Sequence, residues 1–417
     1  MRPLVGLCFV LLGWTVGAAQ PLPQLTPEEA MRQAAERLPS VQVAQALLES
    51  AQAYASSIGA QPNPFLRLSY IAGDPIEEAN ALAFRFEIAG QPGLREQSAQ
   101  RSAEARAQDL ATEKRVVALR TGQAYYAYWE KQGILRVAQE RVELARSLER
   151  TSYRRFSVGE ISQNQHMRAQ LELARAQADE VTARQESEQA QGLMNLLLGR
   201  PVADPVLLPD GPVALPPLPS ANQVGEGKLD TLQLGLEQLP EVEALRKEAA
   251  AQERQTELAR RANAPELLLQ FYRDRFGPTN VNAVQLSVTI PLWDWGTVAA
   301  EVGRREGLQR AAEARVAEKQ LALQQRALDA SKRYLAALER EKILADQATR
   351  FLKLSNDARR AYDANLMTLL EVFDVQQSYR QAFQAYLTAQ ADVARAALEI
   401  GALSPAGFFE EVSRVQP

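Results

Sequence analysis

Four stretches of the chain alternate apolar and polar residues with the period of two that is typical of β-strands. They form two pairs, at 65–71 with 82–88 and at 266–272 with 284–290. The apolar residues that share one face are Leu66, Leu68 and Tyr70, then Leu82, Phe84, Phe86 and Ile88, then Leu267, Leu269 and Phe271, and finally Val284, Leu286, Val288 and Ile290. The opposite faces carry mostly polar residues, which predicts the alternation of a membrane β-barrel. A small soluble sheet over the end of a helical bundle is the alternative.

After each pair of strands the pattern changes to that of a long helix. The stretches 93–156 and 297–364 contain no proline and little glycine, so each predicts a helix of roughly 64 residues, about 96 Å long. Leu321, Leu328 and Leu335 keep a seven-residue spacing typical of coiled-coil seams.

Gly159 and Asn365 break these helices, because glycine and asparagine most readily adopt left-handed backbone conformations. Each chain segment then turns and returns as a second helix, ending near Gly199 and Gly401. The sequence therefore predicts two long helical hairpins.

The order of elements occurs twice. Leu38-Pro39-Ser40-Val41 returns as Leu239-Pro240-Glu241-Val242, and the segment 156–170 matches 362–376. Internal repeats of this kind predict a duplicated architecture. We divide the chain into a first repeat at 20–199, a linker rich in proline and glycine at 200–229, a second repeat at 230–403 and a tail at 404–417.

The first residues, MRPLVGLCFVLLGWTVGAAQ, have a basic start, an apolar run and small residues at the end. This is the layout of a secretory signal peptide, which we assign to residues 1–19. A membrane anchor is the alternative, although the apolar run is short for a span. Cys8 is the single cysteine of the chain, so the exported protein is expected to have no disulfide and no sulfur metal site.

The charges nearly cancel, with 47 basic and 51 acidic residues, which favours neither a nucleic-acid surface nor an acidic tail. No apolar stretch after residue 20 reaches the length of about 18 that a transmembrane helix needs.

Together, these motifs resemble the TolC-like outer-membrane efflux factors. The resemblance rests on the duplication, on the strand ending IPLWDWG and on the turns FSVGEIS and YDANLMTLLEVFDVQQS, and it covers nearly the whole mature chain. The stretch FEIAGQPGLREQSAQ also resembles the branch that serves metal-efflux pumps.

The resemblance implies a mainly α fold with a small membrane β part. Duplicated long helical hairpins would form an α-barrel, and four strands per chain would contribute to a trimeric 12-strand β-barrel. The implied partners of such a homotrimer are outer-membrane lipid, a periplasmic adaptor protein and an inner-membrane efflux pump, with a tunnel through the periplasm.

Three groups of residues are candidate sites. Pro291, Trp293, Trp295 and Gly296 would form the joint where a barrel strand becomes a tunnel helix, with the tryptophans either at the lipid boundary or simply packed. The helix turns are expected to dock the adaptor, through Phe156, Val158, Gly159, Ile161, Tyr362, Asn365, Leu366 and Met367.

Glu371 and Asp374 share a helix face because they are three residues apart. Such a pair is commonly a solvated helix face, but symmetry would turn it into a ring of carboxylates that favours cations. The resemblance places the pair at the periplasmic pore constriction. The family's gate-locking arginine corresponds to Met367 here, and its acidic partner corresponds to Gln165.

An enzyme would need a nucleophile, an acid–base pair or a cofactor cradle, and the sequence predicts none of these, no cofactor and no metal site. His166 is the single histidine, which favours a surface or packing role over metal binding. A periplasmic coiled-coil adaptor or scaffold and a secreted hydrolase are the competing interpretations.

Overall fold

The computed structural model describes residues 24–71, 77–209, 235–276, 279–364 and 366–414. The first repeat contains α1 (Pro27–Arg37), α2 (Pro39–Ser57), β1 (Phe65–Ile71), β2 (Glu77–Glu87), α3 (Gln91–Ser157) and α4 (Gln163–Leu197). The second contains α5 (Pro240–Arg260), β3 (Glu266–Phe276), β4 (Thr279–Thr289), α6 (Thr297–Asp363) and α7 (Leu369–Ala402), followed by the short α8 (Phe408–Ser413). The predicted signal peptide, most of the predicted linker and Asn365 lie outside the described residues.

Proline marks the start of equivalent helices in the two repeats. Pro39 and Pro240 occupy the first turns of α2 and α5, where the missing N–H is not needed for an intrahelical bond. The helices α3 and α6 are each 67 residues long, which corresponds to about 100 Å. The helix α7 continues one residue beyond Gly401, whereas Gly199 lies just past the end of α4 with a positive φ.

The four strands form one antiparallel sheet in the order β1-β2-β3-β4. Leu82 lies opposite Leu66 on one side and opposite Phe271 on the other, and Phe271 lies opposite Val284. The apolar positions of the two repeats therefore form continuous rows across one face of the sheet.

The helices form a layer in which each long helix has different neighbours in its two halves. Near the sheet, α3 packs between α2 and α5, and α5 also packs against α6. In the far half, α3 packs between α4 and α7, and α7 packs against α6. The layer therefore ends with α2 and α4 on one side and with α6 on the other.

The main core lies midway along the helices, where α1, α3, α4, α7 and α8 meet. Tyr125 and Tyr126 are buried there, beside Met31, Leu398 and Phe409. The tail, for which the sequence indicated no structure, contributes Phe409 through α8. Arg115 on α3 contacts the chain between α7 and α8. It donates hydrogen bonds to the backbone oxygens of Ala402 (2.9 Å) and Ser404 (2.6 Å).

Two of the three leucines spaced by seven are not buried against the other helices of their own chain. Leu321 is 67% exposed and Leu335 is also exposed, whereas Leu328 is half-buried. Most of the buried residues of α6 are alanine or serine, namely Ala312, Ala327, Ala330, Ser331, Ala348, Ser355 and Ala358, and the larger ones are Leu323, Tyr334 and Tyr362. Small side chains allow neighbouring helices to approach closely, so the larger leucines remain on the outer edge of the layer.

Within the described residues, no helix combines the length and the apolar character needed to cross a membrane.

Candidate functional site

The sheet exposes its apolar face and buries part of its polar face. On the central strand β3, Phe271 is 44% exposed while the neighbouring Gln270 is 6% exposed. On β2, Leu82 is exposed whereas Ala83 is fully buried. This is the reverse of a sheet in a soluble domain, where the apolar face covers the core.

The exposed apolar face has defined limits along the strands. Along β4 and the residue just after it, exposed apolar side chains run from Val284 to Ile290, a distance of about 20 Å at the rise of a β-strand. The next row towards the hairpin turn is polar on β2, β3 and β4, with Asn282 opposite Arg273 and Arg273 opposite Asn80, and only Leu68 on β1 continues the apolar face there. The outward apolar band of membrane β-barrels is about 25 Å tall, so this face is of comparable but smaller extent.

The opposite face carries polar contacts between strands. Tyr272 donates a hydrogen bond from its hydroxyl to Oε1 of Gln285 (2.6 Å). Arg85 lies 3.5 Å from the carboxylate of Glu266. Hydrogen-bonding groups on this face suit contact with water.

The joint between β4 and α6 contains the four residues that the sequence indicated. The strand ends at Thr289, two residues before Pro291. Gly296 has a φ of +79°, a left-handed backbone conformation that glycine adopts readily. Trp295 is 89% exposed, and its ring meets that of Trp293 edge to face at 6.4 Å. The tryptophans therefore do not pack into the core of this chain.

Asp294 is a further residue of the joint, and the sequence analysis did not identify it. Its carboxylate accepts hydrogen bonds from the backbone N–H groups of Gly296 (3.1 Å) and Val298 (2.9 Å). These contacts satisfy donors at the start of α6, as helix-capping aspartates do. An aspartate just before a glycine and a helical stretch was the available signal.

The corresponding joint between β2 and α3 bends in the same way without tryptophan. Gly90 has a φ of +80° and precedes the first residue of α3. Arg261 donates to the backbone oxygen of Ala89 (2.9 Å), which connects this joint to the end of α5. The bend is therefore shared by both repeats, whereas the exposed aromatic pair belongs to the second alone.

The two helix turns at the far end share one type of backbone hydrogen bond. Gly159 has a φ of +79°, and the N–H of Glu160 donates to the carbonyl of Arg155 (2.9 Å). In the second turn, the N–H of Leu366 donates to the carbonyl of Ala361 (2.8 Å). Both bonds join residues five apart, which is the spacing of a Schellman motif, and in the first turn Gly159 is its left-handed residue.

The predicted docking residues differ in accessibility. Leu366 is 83% exposed and Val158 is also exposed, whereas Ile161 and Met367 are half-buried. Tyr362 is 3% exposed, so its side chain is not available to a partner. It is held inside the chain by Arg155, whose guanidinium lies 4.6 Å from the ring centroid and donates to the Tyr362 backbone oxygen (3.1 Å).

Phe156 belongs partly to the core of the first turn. Its ring stacks on the buried His166 at 5.6 Å. His166 Nδ1 lies 3.0 Å from the hydroxyl of Ser152, and His166 Nε2 lies 3.1 Å from Nε2 of Gln170. These contacts give His166 a packing role. The described residues contain no group of three or more side chains arranged to hold a metal ion.

Glu371 and Asp374 are both exposed on the first turns of α7. Glu371 has a structural contact as well, because its carboxylate accepts from the Thr368 N–H and from the Thr368 hydroxyl, each at 2.7 Å. The hydrogen bond from the Thr368 backbone is the main cause that lowers the pKa of Glu371. The Thr368 hydroxyl in turn accepts from the Glu371 N–H, which completes a capping box.

Asp374 lines a groove of about 460 Å³ between the starts of α4 and α7. The opposite wall carries Arg168, Glu172 and Arg175, and Leu370 and Phe373 supply apolar surface. The groove therefore combines both signs of charge. The sequence analysis did not identify Arg168 as one of these charges.

No protein-family model and no curated protein matches the chain. Solved structures do. A membrane protein from Pseudomonas aeruginosa matches with a TM-score of 0.75 and 17% identity, over 90% of this chain and 93% of that chain. The CmeC outer membrane channel of Campylobacter jejuni matches with a TM-score of 0.72 and 13% identity, over 96% and 93%. The open state of the MtrE outer membrane channel of Neisseria gonorrhoeae matches with a TM-score of 0.73 and 17% identity, over 90% and 88%.

These likenesses confirm the predicted fold class. The chain is mainly helical with a four-strand antiparallel sheet, and it shares the fold of solved outer-membrane channels across nearly its whole length. The metal-efflux branch, the trimer and the candidate site residues stay predictions.

Proposed function

We propose that this protein is the outer-membrane exit duct of a tripartite efflux system. It would passively conduct substrates from an inner-membrane pump and a periplasmic adaptor to the outside. The observation that carries the proposal is the sheet, which exposes an apolar face about 20 Å long along its strands at one end of helices about 100 Å long.

The proposal requires several copies of the chain, because four strands cannot enclose a lumen. β1 and α2 lie at one edge of the molecule, and β4 and α6 lie at the other. An interface that joins one edge to the opposite edge of the next copy generates a ring. Three copies would supply twelve strands, an even number that closes an antiparallel barrel.

Exposed apolar side chains lie on both edges of the helical layer. On α2 and α4 they are Val43, Leu47, Tyr54, Leu193 and Leu196, and on α6 they are Leu308, Leu321, Leu335, Ile343 and Leu352. Burying these rows against each other in a homotrimer would remove them from water, which favours association. Leu321 and Leu335, two of the leucines spaced by seven, would then lie in the interface between copies.

The helix tips would dock the periplasmic adaptor. They lie at the opposite end of the long helices from the sheet, and Val158 and Leu366 expose apolar surface there. The exposed Trp293 and Trp295 suit the boundary between lipid and water, where tryptophan is enriched. No catalytic role is proposed. The stretch at the first joint supports a metal-efflux pump as partner only through its resemblance.

A periplasmic coiled-coil adaptor or scaffold is the second candidate, since it would also be exported and rich in helix. It has no use for an outward apolar sheet. A secreted hydrolase is less well supported, because its reaction would need a nucleophile and a positioned base.

Cross-linking and mass measurement of the detergent-extracted protein test the proposal. We expect three chains in an outer-membrane fraction, in a complex that dissociates on heating. A soluble monomer after export would overturn the proposal in favour of the adaptor.

A matched pair of substitutions tests which face of the sheet meets lipid. Leu286 and Gln285 are adjacent on β4 and point to opposite faces. Leu286→Arg should destabilise insertion by about 2–4 kcal/mol, the cost of arginine near the middle of the lipid face, and should reduce the trimer in membranes. Gln285→Arg should leave the trimer yield near that of the parent. Equal yields for the two variants would contradict the assignment.

A further inference from the structure

The groove beside Asp374 contains an arginine without a partner among the described residues. Arg168 and Asp374 line opposite walls, both are exposed, and neither side chain forms a hydrogen bond or ion pair with another described residue. The other two charged residues of the groove are already paired, since Arg175 lies 2.6 Å from Glu172. Arg168 and Asp374 are therefore the charges of the groove that remain uncompensated within it.

The two repeats place these opposite charges at equivalent positions. Arg168 comes three residues after Gln165, which closes the capping box at the start of α4. Asp374 comes three residues after Glu371, which closes the capping box at the start of α7. In an assembly whose mouth is formed by the helix tips, both charges lie at the same depth.

We propose that Arg168 is a specificity-determining residue of the mouth and weakens its preference for cations. This inference rests on the proposed function, with Glu371 and Asp374 at the constriction. Each chain then contributes two carboxylates and one guanidinium. For three chains the mouth holds six carboxylates and three guanidinium groups, which leaves half of the acidic charge uncompensated.

This arrangement has a measurable consequence. The interaction of a trivalent cation with the mouth scales with the net charge, and it is screened by salt over about 8–10 Å. Removing the guanidinium groups doubles the net negative charge. The concentration of trivalent cation that blocks half of the current should then fall about tenfold at low salt.

Single-channel recording in planar bilayers tests the proposal with lanthanum as the blocking ion. Arg168→Gln should raise the permeability of potassium relative to chloride and should strengthen the lanthanum block. Arg184→Gln is the matched control, because it removes the same charge from the same helix about 24 Å further along. The control should keep the parent's reversal potential and block.

Two further variants separate a local charge effect from altered folding. Arg168→Lys keeps the charge and should keep the parent's selectivity. The exchange variant, with Arg168→Asp and Asp374→Arg together, keeps the net charge of the groove and should also resemble the parent, whereas Arg168→Asp alone should be the most cation-selective.

The outcomes distinguish this inference from the proposed function. A parent protein that forms trimers but conducts no ions would overturn the proposed duct. A conducting parent with an unchanged selectivity in Arg168→Gln, or with the same shift in Arg184→Gln, would overturn the role of Arg168 alone.

Discussion

The two helix tips have equivalent backbone hydrogen bonds and different interiors. Each turn closes with a bond of Schellman spacing and is followed by a capping box on the next helix. Inside the first tip, Ser152 contacts His166, and both are buried. The equivalent residues of the second tip are Ala358 and Val372, which are also buried but cannot form that contact. The turn geometry is therefore independent of the chemistry of the core beneath it.

The residues that close the two capping boxes also differ in chemistry while making equivalent contacts. Gln165 closes the first capping box and Glu371 closes the second, with equivalent hydrogen bonds to Ser162 and Thr368. An uncharged residue is therefore sufficient for the cap. The negative charge of Glu371 therefore occurs in the second repeat only. The next equivalent pair also differs in charge, with Arg168 in the first repeat and Asp374 in the second.

Substitution of Gly159, the left-handed residue of the first turn, should have the largest effect on efflux and on adaptor binding. Gly159→Val places a β-branched residue at a φ of +79°, which should destabilise the turn by about 1–2 kcal/mol. Gly159→Asn supplies the residue type of the second turn, at Asn365, and should be tolerated. We expect loss of efflux and of adaptor binding for valine while trimers persist.

Open space surrounds Gly159, because an added Cβ would meet no atom within 4 Å. Its substitution therefore tests backbone conformation without a steric clash. Charged replacements of Leu366 test the second tip in the same assay. Normal efflux and adaptor binding in Gly159→Val and in the Leu366 variants would show that the tips do not dock the adaptor.

A double-mutant cycle across the first core should give the next largest effect. Ser152→Ala leaves Nδ1 of His166 without its partner and should lower the free energy of unfolding by about 1 kcal/mol. In a His166→Val background the same change reproduces the second tip, so it should cost much less. Thermal dissociation of the trimers measures both steps. Equal costs in the two backgrounds would show that the Ser152–His166 contact does not contribute.

The smallest effect on stability is expected at Glu371. Glu371→Gln should preserve the capping box, as Gln165 does in the first repeat, and should leave the trimer's dissociation temperature unchanged. Glu371→Ala also removes the cap and should lower that temperature slightly. Both should weaken the cation preference measured in bilayers. A loss of selectivity in alanine alone would assign the effect to the helix cap rather than to the charge.

The pH dependence of selectivity tests whether Glu371 keeps its capping hydrogen bonds while it carries its charge. Hydrogen bonds from Thr368 lower the pKa of Glu371, so this carboxylate stays ionised below the usual glutamate value of about 4.3. Its contribution to stability is fully present above that value and is lost as the pH falls through the lowered pKa. In an Asp374→Asn background, cation preference should therefore persist to a pH at which an ordinary glutamate is already neutral. Loss near the ordinary value would show that the capping box does not hold Glu371 in the conducting state.

The sequence was informative where one local rule decided the structure. Period-two alternation correctly identified all four strands, and Gly159 and Gly296, the residues at which the sequence predicts bends, have positive φ values. The ends of α3 and α6 agree with the predicted helices within a few residues. These features depend on neighbours along the chain, and their sequence patterns occur in both repeats.

Features that depend on distant contacts were not predictable in this way. Arg168 is an ordinary charged residue of a helix until the fold places the starts of α4 and α7 on two walls of one groove. Arg155 resembles other basic residues near a helix end until it contacts Tyr362. The tail helix around Phe409 forms on the surface of α3, about 300 residues earlier in the chain. The burial of Tyr362, expected in an exposed turn, has the same cause.

The open sides of the sheet and of the helical layer also determine how the protein reaches its final form. A chain with two open edges does not complete its own hydrogen bonding, so in the proposed ring the last folding step would be an encounter with other chains. The yield of that step would depend on the local concentration of copies, and the apparent stability of the assembly would be a function of mass action. Dilution would expose long strand edges that can pair with unrelated chains. Rapid association would therefore protect the chain as well as complete the proposed duct.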